Sequence, residues 1–295
     1  MPELPEVETV VRGLRRSMIG ARIEDVVLNR TDLRWPIPSE IRHLVGQQIR
    51  DVQRYAKTVI VIGEHGDGWL LHLGMSGRLS VIKTQNHQAE KHDHVLILLA
   101  HNQTLSTLVF QDPRRFGFFD YSPNVELLDE HPRLKSFGID PTTQALSPQW
   151  LYDQTRNRKS SLKAFLMDQK FIAGLGNIYV SEALHRTGLH PMLEAGAIGS
   201  ADCDALVLQI KGTLLDAIDA GGSSLRDYVQ TDGKLGFFQH QWQVYAQAGQ
   251  RCQRCNQGEI QRIVQQQRSS YFCPVCQPAP SQSLSSSGQS NTAMG

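Results

Sequence analysis

Hydrophobic positions recur at two different periods along this chain, and the change of period divides it. Over residues 5–19, Val7, Val10, Val11, Leu14 and Met18 return at helical spacing, while Arg12, Arg15 and Arg16 lie largely off that stripe. Pro5 suits a first helical turn, Glu6 and Glu8 suit the positive end of a helix dipole, and Gly20 supplies a stop. From residue 23 the period shortens. Segments 23–27, 49–55, 58–62, 69–73, 95–99, 105–110 and 116–121 predict short strands rich in β-branched and aromatic residues, separated by turn clusters at 63–68 and 101–103. Many short strands at this spacing predict a sandwich or barrel, not a parallel sheet with crossover helices. The polar stretch 83–93 reads as a flexible loop.

Residues 133–149, with Pro141 and little periodicity, read as a connector. From Ser147 the pattern is helical again. Leu151 and Tyr152 open one helix, 162–166 and 178–184 form two more, and 204–219 carries the stripe Leu206, Ile210, Leu214 and Ile218. Residues 277–295 are Ser/Gln-rich and hold no Lys, Arg, Asp, Glu or aromatic residue, the composition of a disordered tail. The expected division is therefore 1–132, a connector 133–149, a helical unit 150–243, a cysteine module 244–276 and the tail.

A length of 295 residues allows two domains, each with a core, and 40% hydrophobic content excludes a wholly disordered chain. No apolar run approaches the ~18 residues of a membrane span, and the acidic start lacks the basic region of a signal peptide. The expectation is an intracellular, cytoplasmic protein that does not enter membranes. Thirty Lys+Arg against 29 Asp+Glu give no global field toward nucleic acid, so any such binding needs a local basic surface.

Four of the five cysteines form Cys252-x-x-Cys255 and Cys273-x-x-Cys276, seventeen residues apart. A CxxC turn presents two thiolates at one corner, and a second turn across a hairpin completes a closed four-sulfur zinc site. The β-prone runs 260–264 and 270–272, joined by 265–267, suit that hairpin. A redox dithiol or two coincidental pairs are the competing readings, and Cys203 reads as an ordinary helix cysteine. Ala173-Gly-Leu-Gly-Asn177 brings backbone close to a ligand, with Asn177 placed to cap the helix that follows and its first-turn N–H groups suited to an anion. An ordinary helix-to-helix turn has the same composition. Asp112-Pro-Arg-Arg-Phe116-Gly sets two arginines beside a wedge-like aromatic, which suits a kinked duplex, although a solvated turn is the commoner use. At the N-terminus, removal of Met1 would leave Pro2 with a free secondary amine able to attack an electrophilic carbon, with Glu3 and Glu6 nearby for acid–base work. A Pro-rich leader ahead of a helix explains the same fragment more blandly.

Together these segments resemble the bacterial formamidopyrimidine-DNA glycosylases. The resemblance runs from Pro2 to Cys276 through Pro2-Glu-Leu-Pro-Glu6-Val-Glu-Thr9, Tyr55-Ala-Lys57, His72-Leu-Gly-Met-Ser-Gly77 and Asp112-Pro-Arg-Arg-Phe-Gly117. It continues through Ala173-Gly-Leu-Gly-Asn-Ile-Tyr179, Gly221-Gly-Ser-Ser-Leu-Arg-Asp227 and Gln267-Arg-Ser-Ser-Tyr-Phe-Cys-Pro274. It implies an α+β multidomain fold: an N-terminal β-sandwich with a leading helix, then a helical domain with a helix–two-turns–helix motif and a β-hairpin zinc finger, DNA lying between them.

The same resemblance implies roles. Pro2 would be the nucleophile, Glu3 the acid that assists sugar-ring opening, Glu6 a support for the flipped nucleotide, and Lys57 a phosphate ligand that also disfavours protonation of the amine. Met75, Arg114 and Phe116 would fill the gap left by the extruded base, Arg114 facing the orphaned cytosine. Asn177 and Arg268 would grip the backbone, with Lys163 as an accessory contact. A lesion-recognition loop would occupy about 223–234, where Arg226 stands in place of the Lys of some members. Cys252, Cys255, Cys273 and Cys276 would hold one structural zinc, with no catalytic metal or organic cofactor. The implied partner is double-stranded DNA containing oxidised bases, bound by a monomer. The related endonuclease VIII type, which prefers oxidised pyrimidines, is the rival enzyme, disfavoured by Leu4 and the 72–75 run. A catalytically silent damage binder is the rival of another class, disfavoured because Pro2, Glu3, Glu6 and Lys57 are all present.

Overall fold

The computed structural model describes residues 2–84, 86–223 and 236–280. Met1, Arg226, most of the expected lesion loop and residues 281–295 of the tail lie outside the described residues. The leading helix α1 spans Leu4–Met18, and its side chain stripe is buried as the sequence pattern requires. Strands follow as β1 (Arg22–Leu28), β2 (Ile49–Tyr55), β3 (Thr58–Gly63), β4 (Gly68–His72), β5 (Arg78–Ile82), β6 (Asp93–His101), β7 (Thr104–Gln111) and β8 (Phe118–Ser122). They form two four-stranded antiparallel sheets, in the orders β1-β6-β7-β5 and β2-β3-β4-β8. Inward residues of both sheets, such as Ile23, Ile97 and Phe110 against Val52, Val61 and Leu71, share one core with Val7, Val10, Leu14 and Met18 of α1. The arrangement is a sandwich whose open side is closed by α1.

Two details depart from the sequence pattern. Strand β5 was not anticipated, because its residues are mostly half-buried and carry little alternation. Phe116, placed at the head of a strand by its aromatic neighbours, stands instead in a turn before β8: Arg115 takes φ +56° and Arg115 N–H donates to Asp112 O at 3.1 Å. The second sheet is covered on its outer face too. Ile60, Ile62, Leu70 and Phe118 pack there against Val125 and Leu134, so the stretch expected to be a connector is anchored.

The helical part comprises α2 (Pro148–Thr155), α3 (Leu162–Met167), α4 (Asn177–Thr187) and α5 (Ser200–Asp219). Ser147 and Ser161 cap α2 and α3 by accepting N–H bonds from Trp150 and Ala164. Helix α5 starts at Ser200, four residues before the expected 204, where Asp202 reaches back to accept Gly199 N–H at 2.9 Å. These helices share a second core, and Leu4 belongs to that one rather than to the sandwich. The first turn of α1 therefore crosses from one core to the other. Strands β9 (Gln261–Gln265) and β10 (Arg268–Phe272) make the hairpin, turning through Gln266 and Gln267, both at positive φ, the geometry of a tight two-residue turn. Among the described residues no helix is long and apolar enough to cross a membrane.

Candidate active site and metal centre

Burial of two carboxylates and an ammonium where α1 crosses between the cores defines the site. Pro2 is buried, Glu3 is 4%, Glu6 1% and Lys57 6% exposed. Glu3 Oε1 accepts the Ile178 N–H at 3.1 Å, and its Oε2 is buried with no hydrogen-bond partner. Glu6 Oε2 reaches back to accept the Glu3 N–H at 2.8 Å, while Oε1 accepts from Ser223 N–H at 2.8 Å and from the Tyr179 hydroxyl. Lys57 Nζ donates to Leu175 O at 2.9 Å. Burial raises the pKa of Glu3, against the opposing charge of Lys57. Burial, then the charge of Glu3, lifts Glu6 to about 7. Burial lowers Lys57, with Glu3 acting to restore it. Two carboxyls in one buried pocket are thus both pushed toward the protonated form, which makes either able to give up a proton nearer neutral pH than a free carboxyl.

The acceptor at the N-terminus of α4, where the sequence suited an anion, is a carboxyl of the protein itself. Glu3 sits there, and Gly176 makes room: a Cβ at that position would lie 2.2 Å from Glu3 Cδ. Asn177 does not cap the helix as the sequence suggested. The cap is Gly176, Asn177 is the first helical residue, and its Nδ2 donates to Ser269 O at 2.9 Å.

A second constellation presents three exposed groups on two turns of the sandwich. Met75 is 36% and Phe116 45% exposed, and the Arg114 guanidinium lies 4.8 Å from the centre of the Phe116 ring. Gly74, at φ +59°, lets the turns touch, since a Cβ there would meet the Phe116 carbonyl carbon at 2.4 Å. Asp112, fully buried, locks both turns: its carboxylate accepts from Ser76 Oγ at 2.6 Å and from Gly117 N–H at 2.8 Å. Arg114 N–H in turn donates to Ser76 Oγ at 3.1 Å. In the sequence Asp112 stands out only as a member of its motif, and the fold gives it this role. The same holds for His72, whose Nδ1 accepts the Gly74 N–H at 3.0 Å and whose pKa burial lowers to about 4.

Lys163 is 2% exposed, and its Nζ donates to Ser269 O at 3.0 Å and Ser270 Oγ at 2.6 Å. It fastens the hairpin to α3. It also lines, with Arg158, Ser160 and the exposed Arg268, an open cavity of about 330 Å³. The loop carrying Arg226 lies outside the described residues.

At the base of the hairpin the sulfurs of Cys252, Cys255, Cys273 and Cys276 all lie within 4.8 Å of one another. Cys252 and Cys276 are 3.8 Å apart and Cys255 and Cys273 3.7 Å. A tetrahedral ion with metal–sulfur bonds of about 2.3 Å sets its sulfurs roughly 3.8 Å apart, so the donor set fits a metal ion. Gly258 N–H and Cys276 N–H point at Cys255 Sγ and Cys273 Sγ, each at 3.4 Å.

Comparison with known proteins agrees with this geometry over nearly the whole chain. Residues 1–119 match the family model for the formamidopyrimidine-DNA glycosylase N-terminal domain and residues 137–229 that for the formamidopyrimidine-DNA glycosylase H2TH domain. Formamidopyrimidine-DNA glycosylases of Cereibacter sphaeroides and Gluconobacter oxydans are 44% and 46% identical, over 94% of this chain and 100% of each relative. A Lactococcus lactis FPG variant in complex with a Fapy-dG containing DNA superposes with a TM-score of 0.85 at 31% identity. MutM in complex with carbocyclic 8-oxo-G containing DNA superposes at 0.83 and 31%, each match covering 94% of this chain and 100% of the other. The carboxylate pair, the paired turns and the four-cysteine hairpin thus sit on a shared scaffold, and the chain belongs to the formamidopyrimidine-DNA glycosylase family.

Proposed function

We propose that this DNA glycosylase of base excision repair removes oxidised purines, 8-oxoguanine opposite cytosine and formamidopyrimidines, through the amine of Pro2, and then cleaves the strand by β,δ-elimination. The observation that carries the reading is the buried Glu3–Glu6–Lys57 cluster beside Pro2, with one Glu3 oxygen uncommitted. Once Met1 is removed, the Pro2 nitrogen attacks C1′ of the extruded nucleotide. The C1′–base bond breaks, and its electrons leave with the base, which takes up a proton. Opening of the sugar ring requires a proton on O4′, and Glu3, whose raised pKa favours the acid form, supplies it. The resulting iminium acidifies C2′; loss of that proton expels the 3′-phosphate, a second elimination expels the 5′-phosphate, and water frees Pro2. Lys57, a cation against the site, holds phosphate and disfavours protonation of the amine.

Met75, Arg114 and Phe116, exposed on turns fixed by Asp112, would enter the duplex at the vacated position, Arg114 facing the orphaned cytosine. Arg268, Asn177, Lys163 and Arg226 would hold the strand. An all-sulfur tetrahedral set suits zinc, which Cys252, Cys255, Cys273 and Cys276 would hold to keep the hairpin in shape, with no part in bond breaking. The protein would act as a monomer on double-stranded DNA in the cytoplasm.

Borohydride trapping on a duplex carrying one 8-oxoguanine opposite cytosine tests the reading, with the adduct mapped by mass spectrometry. The expected adduct is on Pro2, and Pro2→Gly should reduce strand cleavage at least about hundredfold, the scale of losing a positioned nucleophile. An adduct with oxidised pyrimidine alone would move the substrate to the endonuclease VIII type. Tight binding with no adduct on any lesion would overturn the chemistry.

A further inference from the structure

His185 stands on the last turn of α4, at the opposite end from Glu3, and takes no part in the chemistry above. Its side chain is 1% exposed. Nε2 lies 3.4 Å from Cys252 Sγ, and Nδ1 is buried with no hydrogen-bond partner. A neutral imidazole has one N–H to place. On Nδ1 it would be a buried, unpaired donor, and the Nε2 lone pair would face the lone pairs of a thiolate. On Nε2 it points at sulfur and leaves only a vacant acceptor behind, which costs less. The arrangement therefore fixes the tautomer with the proton on Nε2. Nor is the ring a fifth ligand, because the close-packed metal-binding set consists of the four cysteines alone.

Four thiolates around a divalent cation carry two surplus negative charges, and N–H donors aimed at sulfur disperse them. For Cys255 and Cys273 the donors are backbone amides that come with the CxxC turns. For Cys252 the donor is a side chain from another element. We propose that His185 is the positioning residue that holds Cys252 as a metal-bound thiolate of low reactivity and so sets how well the cluster withstands electrophiles and oxidants. A sulfur whose lone pair is engaged by a donor is a poorer nucleophile toward an alkylating or oxidising reagent. The Arg254 guanidinium fastens the same junction by donating to the His185 carbonyl at 2.5 Å. The inference rests on the metal reading of the four cysteines.

The test compares the metal-loaded wild type with His185→Phe and His185→Leu, which remove the donor at different volumes, and His185→Gln, which keeps an N–H. Metal content is measured first. Metal release under N-ethylmaleimide is then followed with a chromogenic chelator, and the first alkylated cysteine is identified by mass spectrometry. The Phe and Leu variants should release metal about tenfold faster, the factor a hydrogen bond to a charged acceptor is worth, with Cys252 alkylated first, and the Gln variant should stay near wild type. Should the Phe variant fail to fold, the Leu variant carries the comparison. Unchanged release rates, another cysteine reacting first, or a Gln variant as fast as Leu would overturn the inference. Wild-type protein isolated without metal would overturn the metal reading itself, a distinguishable result.

Discussion

A methyl group is missing at Gly176, and its absence decides whether Glu3 can reach the amide of Ile178. Gly176→Ala would drive a Cβ to 2.2 Å from the Glu3 carboxyl carbon, so the side chain must leave the helix end. We expect a loss of roughly 1–3 kcal/mol in stability from overpacking, measured by denaturant titration. Base excision should fall about hundredfold with the misplaced acid, measured in single turnover. An alanine variant with unchanged turnover would separate Glu3 position from catalysis. The chain's own composition named Glu3 and Glu6 as candidates because two acids beside a potential amine are visible locally. It could not name Tyr179, Ser223 or Gly176 as their partners, since those contacts join positions some 170 to 220 residues apart in sequence. Residue types near one another along the chain are legible; a hydrogen bond across the fold is not.

Between residue and molecule, the two turns bearing Met75 and Phe116 behave as one element because Asp112 accepts from both. Asp112→Ala would leave the Ser76 hydroxyl and the Gly117 amide without their buried acceptor, costing about 3 kcal/mol. The turns would then move independently, and affinity for lesion-bearing duplex should fall about tenfold more than affinity for undamaged duplex. Fluorescence anisotropy at one fixed salt concentration checks this, because phosphate contacts alone are salt-sensitive and sequence-blind. Strand β3, buried along its whole length, was readable from its β-branched run almost to the residue, and β2 was readable from its residue types and flanking turn although only Ile49 and Val52 are buried. Strand β5 escaped because half-buried positions weaken the period, and Phe116 reads as a strand residue because the aromatic run continues into Phe118 and Phe119, which do lie in β8.

For the molecule as a whole, Glu6 makes stability depend on pH. Burial pushes its pKa from the ordinary 4.5 up to about 7, so between those limits this carboxyl holds its proton more tightly in the folded state than in the unfolded one. The Glu6 contribution then falls as pH rises through that window and levels off above it, by roughly 3 kcal/mol; Glu3, raised by burial, acts in the same sense, and His72, lowered by burial to about 4, in the opposite one. Thermal unfolding of wild type and Glu6→Gln from pH 4.5 to 8 isolates it: the stability of the wild type relative to the variant should fall across that range, and a constant difference would exclude Glu6 as a source. The two-part organisation and the cysteine hairpin were legible because each has its own periodicity or spacing, whereas the crossing of α1 between cores was not, since Leu4 continues the apolar run of the helix it opens. That crossing has a consequence for synthesis. Helix α1 leaves the ribosome first, but Leu4 packs among Leu146, Leu175 and Phe238, and Glu6 waits for Ser223. A growing chain therefore has all the residues of its sandwich core long before those of the Glu3–Glu6 pocket, which closes only when about four-fifths of the polypeptide has emerged. An interrupted translation product would carry a folded half with no assembled chemistry, and so no half-made enzyme to nick the chromosome.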